Sequence, residues 1–210
     1  APSNSIFGFT ARFPDIDIAP NDTLTVVFHE NYNDYYGDSF TADLVMFTGQ
    51  SNSMIETTAN SFGNSLNGLN GGKLENTSEL LILFYWDGNE NSLIQDVDYF
   101  IWGNYHNKID KSGLDNYTND TDSDSQFIFE EEAKNYYAYA RLGDSETDEI
   151  ESNGNGITGN DETSENLSES WSIIEMFNLG CTEPDAPNYD ESAIYDDGSC
   201  YINFKNVIDN

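Results

Sequence analysis

The chain has 210 residues, of which 39 are acidic and 7 basic, for a formal net charge of −32. That balance argues against nucleic acid and anionic membrane as partners, because phosphate binding rests on clustered Lys and Arg; it favours salt-rich media, divalent cations or cationic partners. The length holds one sizeable core or a domain with a small appendage, and no window reaches the ~18 apolar residues of a membrane-crossing helix.

In chain order, residues 6–13 place Phe7, Phe9, Ala11 and Phe13 on one side and predict a strand, ended by Pro14-Asp15. No charged-then-apolar signal opens the chain, so Ala1 reads as a mature start or a cut edge. Residues 16–18 continue extended to a turn at Pro20-Asn21-Asp22. Residues 23–29 predict a second strand, with Leu24, Val26 and Phe28 on one face. Tyr32, Tyr35 and Tyr36 fall at helical spacing before Gly37 and predict one or two helical turns over 30–36. Residues 43–47 predict a short strand, and the Ser/Asn/Gly-rich stretch 50–72 a long surface loop with one short strand near 66–69.

The longest unbroken apolar run is LLILFYW, Leu80 to Trp86. Asp87-Gly88-Asn89 is turn chemistry, and residues 97–102 then alternate, with Val97, Tyr99 and Ile101 opposite Asp98, Phe100 and Trp102. A central hairpin is predicted, its 80–86 strand covered on both faces. Beyond it, 105–124 is a polar loop, 127–134 holds a helical turn, and 136–142 alternates as a strand. Residues 143–159 are acidic and glycine-rich, and 161–174, with Trp171, return to the core. Residues 175–180 read as a linker.

Two cysteines, Cys181 and Cys200, close a separable C-terminal unit and fit one disulfide in an oxidising compartment better than catalysis. Such a loop has almost no core, so the staple is needed; its acidic neighbours disfavour a reactive thiolate. Asp185, Asn188, Asp190, Asp196 and Asp197 gather oxygen donors on this loop, and Asp115, Asp120, Asp122 and Asp124 gather them on a second one. Calcium takes six to eight such oxygens and is the one cofactor these loops could hold; the plainer reading is a structural module and solvated acidic surface. The spacing is not that of an EF-hand. Only His29 and His106 are present, which leaves transition-metal sites without support. There is no G-x-S-x-G elbow, Cys–His pair, P-loop or G-x-G-x-x-G, and the chain is expected not to be an enzyme. Tyr32, Tyr35, Tyr36, Trp86, Tyr105, Tyr136 and Tyr137 supply aromatics for a glycan- or protein-binding platform, with core or rim as the plainer role.

Two stretches are familiar. APND at Ala19 to Asp22, the strand LTVVFH, GLNGGKLENTSELLILFYWDG (Gly68 to Gly88), VDYFIWGN, DKSGL (Asp110 to Leu114), YAYARLG and GNGITGNDETSEN (Gly154 to Asn166) together resemble the bacterial lamin-tail domain. That resemblance implies an immunoglobulin-like β-sandwich over residues 1–174, from a secreted or surface multidomain protein. The family's first strands have no counterpart before Ala1: either the chain is a fragment or those strands lie elsewhere, and a sandwich lacking them would have an open edge where another chain could add a strand. The second stretch, GCTEPDAPNYDESAIYDDGSC (Gly180 to Cys200), resembles a short disulfide repeat of extracellular proteins from Bacteroidetes-type bacteria. It implies export by the type IX route, a module over 181–200, and in 201–210 the start of a following segment. Asp22-Thr23-Leu24 is similar to the O-glycosylation acceptor of such proteins, at Thr23.

The expectation is an all-β chain: an immunoglobulin-like sandwich with a small disulfide-stapled module. Its predicted role is non-catalytic, structural or adhesive, in a secreted cell-surface bacterial protein. The expected partners are other surface proteins, further modules of the same polypeptide, strand-donating copies or glycans, without nucleic acid or membrane insertion. The alternative is an accessory domain of a secreted nuclease or phosphatase whose catalytic domain lies outside these residues.

Overall fold

A computed structural model describes residues 9–29, 31–36, 41–46, 49–56, 74–75, 77–89, 91–103, 108–113, 117, 120–143, 149, 151 and 154–201. The predicted strand at 66–69, the first residues of the 6–13 strand, His106, Asp115 and 202–210 lie outside them. The described chain is strand-rich: its two α-helical pieces, α1 (Asn33–Tyr36) and α2 (Leu167–Ser170), have four residues each, and no helix is long and apolar enough to cross a membrane. The chain divides into two compact units, Ala1–Glu75 and Asn76–Asn210, a boundary inside the stretch read as one module.

In the first unit, alternation does what the sequence asks. Strand β1 (Ala11–Arg12) pairs antiparallel with β4 (Ile55–Glu56), and β2 (Val26–Val27) pairs parallel with β3 (Leu44–Val45). Leu24, Val26 and Phe28 pack with Phe9 and Ala11 on the buried Leu44, Met46 and Met54. Val27 points the other way, onto Ala42 and Val45, with Tyr32 against them. Asp43 clamps the β2 entrance, accepting from the amide of Thr25 at 2.7 Å and from its hydroxyl at 2.6 Å.

The second unit is built on β5 (Ser78–Tyr85) and β6 (Gln95–Gly103), an antiparallel hairpin. Tyr99, Phe100, Ile101 and Trp102 are all buried on β6, while Leu81, Leu83, Phe84 and Tyr85 on β5 are exposed. The strand covered on both faces is therefore β6 and not, as the apolar run suggested, its partner. Strand β7 (Tyr137–Arg141) pairs antiparallel with β8 (Trp171–Glu175) and lays its aromatics on one face of β6. Phe100 stacks on Trp171 with ring centroids 4.1 Å apart, and Trp102, Phe129 and Tyr139 complete the cluster. The helical turn expected over 127–134 is absent. Phe129 is extended instead, its amide donating to Ile101 O and its carbonyl accepting from Gly103 N, both at 2.9 Å. Gly103 has a φ of 70°, and a Cβ there would collide with the Thr77 carbonyl, so only glycine closes this end of the hairpin.

The pairing slips by one residue between Leu83 and Phe84: Leu83 faces Asp98, Phe84 faces Asp96, and Val97 has no partner. A bulge of this kind re-aims the side chain beyond it. Asp98 reaches Arg141 on the aromatic face, whereas Asp96 reaches the 108–126 segment, as Tyr99 does. The C-terminal module rests on a parallel pair, β9 (Leu179–Gly180) with β10 (Tyr195–Asp196). Leu179 and Gly180, read as linker, are thus ladder residues. Tyr195 stacks on Tyr136 at 4.9 Å, and Phe177 packs edge-on against both.

Candidate functional site

In so acidic a chain, a lysine or arginine is a scarce resource. Among the described residues, three basic side chains turn inward in the second unit: Lys108, Lys111 and Arg141. Lys111 sits between two buried carboxylates, its Nζ 2.8 Å from Asp96 Oδ2 and 2.7 Å from Asp120 Oδ2. The Lys111 backbone amide also donates to Asp120 Oδ2, at 2.8 Å. Burial opposes the lysine's charge, yet the two carboxylates outweigh it and raise its pKa. One ammonium shared by two acids leaves a surplus negative charge, and burial raises the pKa of Asp120, whose side chain is fully enclosed.

Around this triad lies a network of buried polar side chains. Gln126 accepts from the Tyr99 hydroxyl at 2.8 Å and donates to Ile109 O and Thr121 O. The Thr121 hydroxyl donates to Asp161 at 2.7 Å, and Asp161 caps a single 3-10 turn (Glu162–Ser164) by accepting from the Thr163 amide. Five consecutive polar residues, Asp161 to Glu165, are buried. Gly156 makes room for them, since a Cβ there would collide with Glu162 Oε1. On the aromatic face Arg141 bridges Asp98 and Glu165, both at 3.0 Å, and lies over the Trp171 ring.

The residues singled out from the sequence fall in several places. Cys181 and Cys200 are bonded, with Cα atoms 4.7 Å apart. Asp185 is exposed. Asn188 ties the ends of the loop, donating to Ser199 O at 2.9 Å and accepting from Tyr201 N. Asp190, Asp196 and Asp197 each accept from a backbone amide two residues ahead, at Ser192, Gly198 and Ser199. In the other loop, Asp122 makes the same kind of turn with Asp124 N, and both are exposed, whereas Asp120 turns inward to Lys111. Among the described residues no three His, Cys, Asp or Glu side chains come together as a metal-binding group. Thr23 is exposed, its amide bonded to the Asp22 carboxylate. Sequence reasoning missed Lys111, Asp96, Gln126, Asp161, Arg141 and Glu165; the scarcity of cations was the available signal for Lys111 and Arg141.

The turn carboxylates give a pH prediction. Ser192 holds the Asp190 carboxyl below its ordinary 3.8 through its hydroxyl and its amide, and Ser199 does the same for Asp197. A depressed folded pKa contributes stability above the unfolded value of 3.8 that is lost as the pH falls through the folded one. The amide resonances of Ser192 and Ser199 are therefore expected to titrate with midpoints below 3.8; midpoints at or above it would show the turns are not held by these carboxylates.

Comparison of the chain with protein-family models, with curated proteins and with solved structures finds no match.

Proposed function

We propose that the chain is a non-catalytic structural or adhesive module of a secreted, cell-surface bacterial protein: an immunoglobulin-like, lamin-tail-type β domain followed by a disulfide-stapled repeat. The observation that carries the reading is β5. Leu81, Leu83, Phe84 and Tyr85, with Trp86 just beyond, leave apolar side chains exposed on both faces of a strand whose partner β6 lies on one side. A soluble surface seldom leaves such a strand uncovered unless something docks on it, and an apolar strand is what a donated strand or a neighbouring module recognises. The disulfide suits an oxidising location outside the cell. Presentation by a rigid β scaffold is the mechanism, with β5 as the contact surface.

Sedimentation velocity over a concentration series tests this. The chain is expected to associate as concentration rises, and Leu83→Lys combined with Phe84→Lys to remain monomeric with unchanged circular dichroism. A wild-type chain monomeric at every concentration would remove β5 as a self-assembly surface.

A further inference from the structure

We propose that Lys111 and Asp120 form an intramolecular amide bond, with Asp96 as the proton carrier, so that the loop between them is closed covalently. The proposal stands on the buried triad and not on the surface role assigned to β5.

Three observations place the reactants. The Lys111 Nζ touches both carboxylates at 2.7 and 2.8 Å, with side-chain exposures of 13% for the lysine, 3% for Asp96 and 0% for Asp120. Both contacts are at hydrogen-bonding distance, so the two carboxylates hold the nitrogen between them. The Asp120 carboxyl is also polarised asymmetrically: Oδ2 accepts the Lys111 amide, while the buried Oδ1 has no hydrogen-bond partner among the described residues. An N–H aimed at one oxygen stabilises the negative charge that gathers there when the carbon is attacked, and the unheld oxygen is the one free to leave. Holding amine and acid in contact replaces a bimolecular encounter, and exclusion of water disfavours the reverse hydrolysis.

The step balances without an added reactant. Asp120 reacts as the protonated acid, a form that burial favours. Asp96 takes a proton from the Lys111 ammonium, and the freed Nζ lone pair adds to Asp120 Cγ. The proton on Asp96 passes to the departing hydroxyl, which leaves as water. The nitrogen's excess proton returns to Asp96 and from there to solvent, replacing the one that Asp120 took up. One C–N bond forms, one C–O bond breaks, and ammonium plus carboxylate become amide plus water with no change in oxidation state.

The test is the mass of the folded chain after denaturation and disulfide reduction, followed by peptide mapping. The expected wild-type mass is one water below that of the sequence, with a cross-linked peptide joining Lys111 to Asp120. Lys111→Arg keeps the buried cation but not the nucleophile, and is expected at full mass; Asp96→Asn is expected at full mass or to lose the water far more slowly. A folded wild-type chain at full mass would overturn the proposal and leave an ion pair only. A lost water mapped to a succinimide at Asp87-Gly88 or Asp197-Gly198, with Lys111 free, would overturn it as well, as would Asp96→Asn closing the bond as fast as the wild type.

Discussion

Replacing Phe100 by alanine is expected to lower the free energy of unfolding by about 3–5 kcal/mol, the range for removing a buried aromatic ring from a packed core. Phe100 is only 6% exposed. Its ring touches Trp171, Trp102, Tyr139 and Phe129, which come from β6, β7, β8 and the bridge at Phe129. Truncation opens a cavity that these stiff rings are poorly able to fill, so most of the lost contact is not recovered. Leu81 is the control. It faces Phe100 directly in the register yet is 40% exposed, so Leu81→Ala is expected to cost less than about 1 kcal/mol. Urea unfolding followed by tryptophan fluorescence measures both. Equal losses at the two positions would mean that β5 contributes to the centre of this unit as much as β6 does.

The contrast between these two strands marks how far the sequence could be read. Period-two alternation located the hairpin and the Leu24–Val26–Phe28 face, because side chains on successive residues of a strand must point oppositely. Run length was the wrong guide to burial. LLILFYW is more apolar than QDVDYFIWG, yet the latter lies between the β7–β8 aromatics on one side and the 108–126 segment on the other. What covers a strand is tertiary, and the aspartates in β6 are legible as core residues only once Lys111 and Arg141 are known to meet them. The bulge at Val97 adds a second obstacle, since strict alternation places Asp96 with Asp98 and the register places it with Tyr99. Asp161 to Glu165 were read as returning to the core with Trp171, but nothing in five polar residues tells a buried hydrogen-bonded turn from a solvated loop. The candidate site was the least legible part, being made of long-range polar pairs. The Cys181–Cys200 bond was the most legible, as two cysteines admit one pairing.

That bond carries the other large effect. Replacing both Cys181 and Cys200 by serine is expected to destabilise the C-terminal module by about 3 kcal/mol, the loop-closure entropy returned to the unfolded chain. The module has little else to draw on. Its ladder is two residues long on each strand, and its apolar anchorage is the stacking of Tyr195 on Tyr136 with Phe177 against both. The loss is therefore expected to be local. Hydrogen exchange should accelerate at Ile194 and Asp197, whose amides donate to Asn178 O and Gly180 O, and stay slow at Phe129 and Gly103 beside β6. Because the Tyr136–Tyr195 stack joins the turn before β7 to the module, Tyr195→Ala in the serine background should add little: once the loop opens, that contact is already lost. Unchanged exchange at Ile194 and Asp197 would show that the β9–β10 pair and the Asn188 clamp hold the module without the staple. Acceleration that spread to Phe129 and Gly103 would show instead that the module and the β6 core unfold as one cooperative body.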